Sequence, residues 1–312
     1  SPLSLRNIGV NEIQRNPGGN RDISKVIQSL PGAGSSVGFR NDIIIRGGGP
    51  SENRFYLDDI EIPTINHFAT QGASGGSNGL LNVDFINNAD FYTGAFPASR
   101  GNALSSVLSL TQKEGRNDRV GLTFTLGASE AGLTLEGPMT KKKKTTFLVN
   151  GRYSYLQALF KAFKLPFLPT YSDAQFKITH KFNNKHDLTI LGVGAYDKLR
   201  LNLAQNKTTE QRYLLRLLPL QNQWNYTIGA RYRYFMEKSY IVVVASRSMF
   251  GNKIYKNYDN NTSNPKQYDL NSTESENKLR FEHTYRLKGY KLSYGLNYEF
   301  ARYTNTSSIN RF

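Results

Sequence analysis

The chain has 312 residues, enough for two domains, with no cysteine and a formal net charge of +16. The lack of cysteine excludes disulfides, thiolate nucleophiles and Cys-based metal sites, and no apolar run approaches the roughly 18 residues of a membrane helix. A mean hydropathy of −0.52 leaves a soluble protein or a β-barrel, whose strands hide their apolarity by alternation.

Charge divides the chain. Residues 1–118 carry 10 Lys+Arg and 11 Asp+Glu, and residues 119–312 carry 30 and 13, so the positive excess belongs wholly to the second part. In the first part, residues 1–19 are polar and end at Pro17-Gly18-Gly19. Asn20 reads as an N-cap with Asp22 in the first turn, and Ile23, Val26, Ile27 and Leu30 then recur at helical spacing. Pro31-Gly32 closes this short amphipathic helix. Ile43, Ile44 and Ile45 read as a buried strand, stopped by Arg46-Gly47-Gly48-Gly49-Pro50 because glycine supplies positive φ and proline fixes its own. Phe55-Tyr56-Leu57 restarts it, and Asp58-Asp59 turns the chain into Ile60-Glu61-Ile62. A long loop over residues 63–82 contains Asn66, His67, Phe68 and Gln71 and the glycine-rich stretch 72–79. Residues 86–93 and 105–112 read as strands joined by a turn-rich link.

From Arg119 the texture becomes period-two alternation. Trp224, Tyr226, Ile228, Tyr232 and Tyr234 oppose Gln223, Asn225, Thr227, Arg231 and Arg233. Leu292, Tyr294, Leu296 and Tyr298 oppose Ser293, Asn297 and Glu299. Such a pattern places apolar residues on one face of a sheet and polar residues on the other. Only the stretch around Ile241–Ala245 breaks it, being apolar throughout. Nine strands are expected, near 119–126, 131–138, 145–158, 173–182, 187–199, 220–235, 239–257, 276–287 and 290–304. Short connectors alternate with the long ones at 157–172, 202–219 and 258–275. Short turns on one rim and long loops on the other mark an outer-membrane barrel with the short turns periplasmic.

The glycine-rich and aromatic motifs resemble those of TonB-dependent outer-membrane receptors. The helix followed by Leu30-Pro31-Gly32, the run Arg46, Gly47, Gly48, Asn53, Phe55, Leu57 and Asp58, and Gly94-Ala95-Phe96-Pro97-Ala98 followed by Leu104-Ser105-Ser106-Val107 occur in the order of a receptor plug. Asp59 stands where that family usually has glycine. The resemblance implies a mixed α/β plug domain (1–118) followed by an antiparallel transmembrane β-barrel (119–312), incomplete with about nine strands present. Plugged transporter barrels have about 22 strands, so the chain is read as the front part of a longer protein. The motif forms are similar to Bacteroidetes-type receptors, which often pair with a surface lipoprotein. The implied activity is import of a substrate across the outer membrane, with a TonB-type energy-coupling protein pulling on the plug. A receptor-shaped, non-transporting scaffold subunit of an outer-membrane assembly is the alternative. No convincing coupling segment is seen within residues 1–16.

Sharper chemistry is weaker. Gly47-Gly48-Gly49 lacks the Gly-Lys-Ser/Thr of a phosphate loop. The four histidines show no metal-ligand spacing, and no nucleophile elbow is present. No catalytic residue, metal site or cofactor is therefore expected. Lys141–Lys144 reads as a solvated turn, since no aromatic platform for nucleic acid adjoins it; the wider basic excess could meet outer-membrane lipid and lipopolysaccharide. Asp58-Asp59-Ile60-Glu61 reads as a solvated acidic turn. Arg46 is either a surface arginine or, as the resemblance implies, a partner of wall carboxylates, with Glu136 and Glu299 as candidates. Asn66, His67, Phe68 and Gln71 are candidate contacts to an unidentified substrate; the other reading of their loop is a seal against the barrel wall.

Overall fold

The computed structural model describes residues 4–16, 22–35, 40–71, 75–76 and 78–310. Its first part contains β1 (Leu5–Gly9), α1 (Val10–Arg15), α2 (Ile23–Gln28), β2 (Ala33–Ser35), β3 (Ile43–Ile45), β4 (Asn53–Leu57), β5 (Ile60–Ile62), β6 (Asn66–His67), β7 (Asn78–Gly79), β8 (Ile86–Tyr92) and β9 (Ser106–Gln112). A five-stranded sheet runs in the order β1-β8-β9-β4-β5, with β4 and β9 parallel. Two strand pairs, β2–β3 and β6–β7, stand apart from it.

The helix expected at residues 20–30 is present as α2, and its buried side chains include Ile23, Val26 and Ile27. Its N-cap is Asp22, whose carboxylate accepts from the Ser24 amide; Asn20 and Pro17-Gly18-Gly19 lie outside the described residues. The polar N-terminal stretch also yields β1 and α1, which the sequence reading lacked. Their apolar content is slight: Ile8 and Ile13 are fully buried while their neighbours are mostly exposed.

The second part is a nine-stranded antiparallel sheet in sequence order. Its strands are β10 (Gly121–Leu126), β11 (Glu130–Pro138), β12 (Thr145–Ser154), β13 (Phe167–Asn183), β14 (His186–Leu201), β15 (Leu220–Phe235), β16 (Ser239–Asn257), β17 (Lys266–Leu287) and β18 (Tyr290–Ile309). All nine expected strands are found. The sheet does not close, so it is a partial barrel with β10 and β18 at its edges. Two of the long connectors were read too long. β13 begins at Phe167 and β17 at Lys266, and α3 (Leu156–Ala162) and α4 (Thr209–Leu217) occupy loops read as irregular. Thr208 and Gln211 form a reciprocal capping box at the start of α4, a signal legible in the spacing Thr-x-x-Gln.

The alternation divides the wall as expected. Leu133, Leu135, Trp224 and Ile228 are exposed, whereas Asp173, Gln175, Lys177, Asp197, Gln223, Arg231 and Arg280 are buried against the first part; at the edge, β18 is exposed on both faces. The apolar stretch of β16 also finds its reason. Val242 and Val244 join Leu191 and Val193 in the same hydrophobic cluster as Ile60 and Ile62 of β5. This apolar island on the inner face receives the tip of the plug hairpin. Gly229 belongs to it: a Cβ there would lie 2.9 Å from Ile60 Cδ1, so the absence of a side chain leaves room for the plug.

Candidate functional site: the contact between plug and wall

The motif residues build the plug rather than a ligand site. Asn53 donates to the Ile43 and Pro50 carbonyls at 2.7 and 3.1 Å and accepts from Ser106 Oγ at 2.6 Å, tying β3, β4 and β9 together. Phe55 and Leu57 lie in the core. Gly47 takes φ +80°. Gly48 has no room for a side chain, because a Cβ would lie 1.8 Å from Ser105 Oγ.

Arg46 is exposed, with Thr93 Oγ1 3.4 Å from its guanidinium. It does not meet the expected carboxylates. Glu136 pairs with Lys113 at 3.3 Å, and Glu299 lies 3.5 Å from Lys278. The φ of +51° at Arg46 opens the glycine turn and turns this side chain to the surface. The expected pairing of Arg46 with Glu136 or Glu299 is thus corrected.

The acidic hairpin tip makes the contact instead, and it is not a solvated turn. Asp58 and Asp59 have φ of +47° and +71°, the two left-handed positions of a type I′ hairpin turn between paired β4 and β5. The Asp58 carboxylate lies 2.8 Å from Lys177 Nζ, and both side chains are almost fully buried. Asp58 Oδ1 also accepts from the Gln112 amide at 3.1 Å. Asp59 accepts from Arg100 at 2.5 Å and from Arg231 at 3.1 Å, and Arg280 donates to its carbonyl at 2.9 Å. Burial works to raise the Asp59 pKa, but Arg100, Arg231 and Arg280 together outweigh it and hold the carboxyl below its ordinary value. Glu61 lies 2.9 Å from Lys278. Arg100 stacks over Tyr56, 4.4 Å from its ring centroid. Four wall cations from β13, β15 and β17 therefore converge on three plug carboxylates.

A second contact lies nearer the rim with the long loops. His67 of β6 is fully buried. Its Nδ1 is 2.7 Å from Asp197 Oδ1 and its Nε2 is 3.1 Å from Asp173 Oδ2. The ring stacks on Tyr171 at 4.1 Å between centroids. Burial disfavours the imidazolium, but the charges of Asp197 and Asp173 and their hydrogen bonds outweigh it and raise the pKa to about 9. Asp197 Oδ2 also accepts the Phe68 amide at 2.7 Å. Phe68 itself has φ +54°, an outlying conformation for a bulky residue that the carboxylate holds in place. Arg152 completes the cluster, donating to Asp173 at 2.9 Å and to the Gly79 and Leu80 carbonyls at 3.1 and 2.6 Å.

The four loop candidates separate here. Asn66 is fully buried and accepts from Ser24 Oγ at 2.9 Å. Asn66 and His67 are thus turned to plug and wall rather than to solvent. Phe68 is half-buried, Ala69 buried and Thr70 exposed. Gln71 accepts from Ser272 Oγ of β17 at 2.8 Å. The residues that sequence reasoning missed are Asp173, Lys177, Asp197, Arg231, Lys278 and Arg280, all on the inner face of the wall. Their signal was a charged residue recurring on the polar face of an alternating strand.

Residues 1–107 match the family model of the TonB-dependent receptor plug domain. No curated protein matches the chain by sequence. Among solved structures, the chain is similar to a siderophore receptor of Acinetobacter baumannii (15% identity, TM-score 0.70, covering 96% of this chain and 48% of that one). It is also similar to the outer-membrane ferripyoverdine receptor of Pseudomonas aeruginosa (13% identity, TM-score 0.69, 99% and 44%) and to the ferric enterobactin receptor of the same organism (15% identity, TM-score 0.64, 96% and 48%). The chain spans about half the length of these structures. It carries a TonB-dependent receptor plug seated on part of an antiparallel barrel, the fold of an outer-membrane receptor.

Proposed function

We propose that the chain is the plug and first barrel strands of a TonB-dependent transporter that imports a substrate across the bacterial outer membrane, with the plug gating the lumen. The domain boundary falls near residue 118, after β9 and before β10. The observation that carries the reading is the plug hairpin Asp58–Asp59 seated by ion pairs on the inner wall, so that passage requires the plug to move. A TonB-type energy-coupling protein acting from the periplasm supplies the force. Ferric siderophores are the first substrate class to test, because the similar solved structures are siderophore receptors. Within the loop, Phe68 and Gln71 remain as substrate contacts, while Asn66 and His67 hold the loop to the wall. A surface lipoprotein partner, a Bacteroidetes-type affiliation and contact with lipopolysaccharide rest on motif form and charge alone.

The test is uptake by a strain whose only candidate receptor is the full-length protein, with and without the energy-coupling protein. Uptake of a ferric siderophore that requires both is the expected result. Uptake independent of the coupling protein, or none across the substrate panel, overturns the reading. Replacing Phe68 and Gln71 together by alanine should weaken substrate binding without loss of membrane insertion.

A further inference from the structure

The four short turns of the wall, residues 139–144, 184–185, 236–238 and 288–289, carry seven lysines against one acid, Glu237. The lysines are four in succession from Lys141 to Lys144, then Lys185, Lys238 and Lys288, and all seven are exposed. Lys144 donates to the Phe182 carbonyl at 3.1 Å. Among the described residues none of the other six enters an ion pair. The connections at the opposite rim, residues 127–129, 155–166, 202–219 and 258–265, are longer in total yet hold only five Lys+Arg against two acids. Per residue, the short turns are thus denser in lysine than the loops of the opposite rim.

Just inside that rim, the outward face carries three histidine–aromatic pairs. His180 meets Phe182 edge-on at 4.5 Å, His186 stacks on Tyr234 at 4.2 Å, and His283 meets Tyr294 edge-on at 5.2 Å. Met139, Leu287 and Tyr290 add exposed apolar surface beside the turns. Amphipathic aromatic rings collect where acyl chains meet headgroups, so this belt marks the membrane boundary. The lysines lie a few residues beyond it, at headgroup depth, with stems long enough to reach along the interface. Successive turns are two strands apart, about 10 Å. The cations therefore extend along the membrane contour from a dense cluster at Lys141–Lys144 through one lysine in each of the other three turns.

We infer that this lysine arc binds the phosphodiester headgroups of anionic phospholipids in the leaflet beside the short turns. The assignment of that leaflet as the periplasmic one rests on the outer-membrane reading above; the lipid chemistry does not. Such an anchor would hold the wall against a pull exerted on the plug from the same side.

The test uses the full-length receptor in detergent, supplied with equal amounts of phosphatidylglycerol and phosphatidylethanolamine, with bound lipid counted by native mass spectrometry. Retention of phosphatidylglycerol should exceed that of phosphatidylethanolamine by about tenfold and fall with salt. The variant K141Q/K142Q/K143Q/K185Q/K238Q/K288Q should bring the two lipids close to parity, and K161Q/K164Q/K207Q at the opposite rim should change nothing. Should the six-site variant fail to insert, K141Q/K142Q/K143Q alone should give an intermediate preference. Equal retention of both lipids by the unaltered protein overturns the proposal. So does a preference that survives lysine replacement, which would leave the arc to an acidic periplasmic partner. Lipid retention is read without transport, so a receptor that imports nothing would still support or overturn the lipid site.

Discussion

The plug meets the wall at two buried contacts of opposite polarity. At the hairpin tip the plug supplies carboxylates, Asp58, Asp59 and Glu61, and the wall supplies Lys177, Arg231, Lys278 and Arg280. At His67 the plug supplies the cation and the wall supplies Asp173 and Asp197. Buried ion pairs contribute little net stability, because desolvation offsets attraction, but removing one partner is costly. Two such contacts of reversed sign specify the seating of the plug: displaced along the wall, the hairpin carboxylates would leave their cations for the apolar residues Leu191, Val193, Val242 and Val244, and buried charges would be left unpaired. The pairing specifies position more than it adds stability. It also gives the two ends of the interface different chemistry, one resting on several cations and the other on a single imidazole.

The largest expected effect isolates the hairpin contact. Asp58→Asn keeps the left-handed backbone, which asparagine tolerates, but strands the Lys177 ammonium in a buried site. Release of the plug by urea, followed by protease sensitivity in the full-length protein, should become easier by about 3–5 kcal/mol. The double variant D58N/K177M should recover most of that loss. A double variant as weak as the single one would show that geometry, not the stranded charge, carries the contact.

Acidity should separate the contacts. The His67 pKa is raised in the folded state, from 6.5 to about 9. Its contribution is therefore complete below about pH 6.5 and is lost as pH rises toward 9, and the shift corresponds to about 3 kcal/mol. The Asp59 pKa is depressed from 3.8, so its contribution is present above that pH and is lost as pH falls below it. Urea release of the plug measured across pH should thus weaken at both ends, for different reasons. H67Q should abolish the alkaline arm alone, at a cost of about 3 kcal/mol at neutral pH, because Asp197 is left buried without its counter-charge. An alkaline arm retained in H67Q would remove the imidazole from the account.

How legible this was in the sequence depends on which periodicity a residue obeyed. The nine wall strands follow from a two-residue period sustained over many residues, and Leu296 and Asn297 fall on the faces their parity requires. β1 was missed because a five-residue strand with one buried isoleucine, Ile8, carries no period. The pairing itself was not legible. Arg46 and Asp58 stand in the same motif, and sequence gives no means of knowing that a φ of +51° turns the first outward while the hairpin drives the second into the wall. The charge division was a clue in plain sight, since a near-neutral plug beside a strongly basic wall favours plug carboxylates as the contact. Lys177 and Asp197 meet the plug at different heights because the register pairs Lys177 with Leu191 and Asp197 with Tyr171.

The smallest expected effect concerns Asp59, where the two demands on the hairpin compete. The position requires φ +71°, which glycine adopts freely and alanine does not. The resembling receptors usually have glycine there. In this chain the carboxylate reaches Arg100 and Arg231, so aspartate tolerates an unfavourable backbone in exchange for two guanidinium contacts. D59G and D59A both delete those contacts, and only D59G relieves the backbone. The difference between them should be about 0.5–1 kcal/mol in favour of glycine, measured by the same urea release. Both should fall below the unaltered protein, because Arg231 is left buried without its carboxylate. If D59G instead matches or exceeds the unaltered protein, the turn geometry outweighs the ion pairs, and the hairpin contact would depend on Lys177 and Lys278 alone.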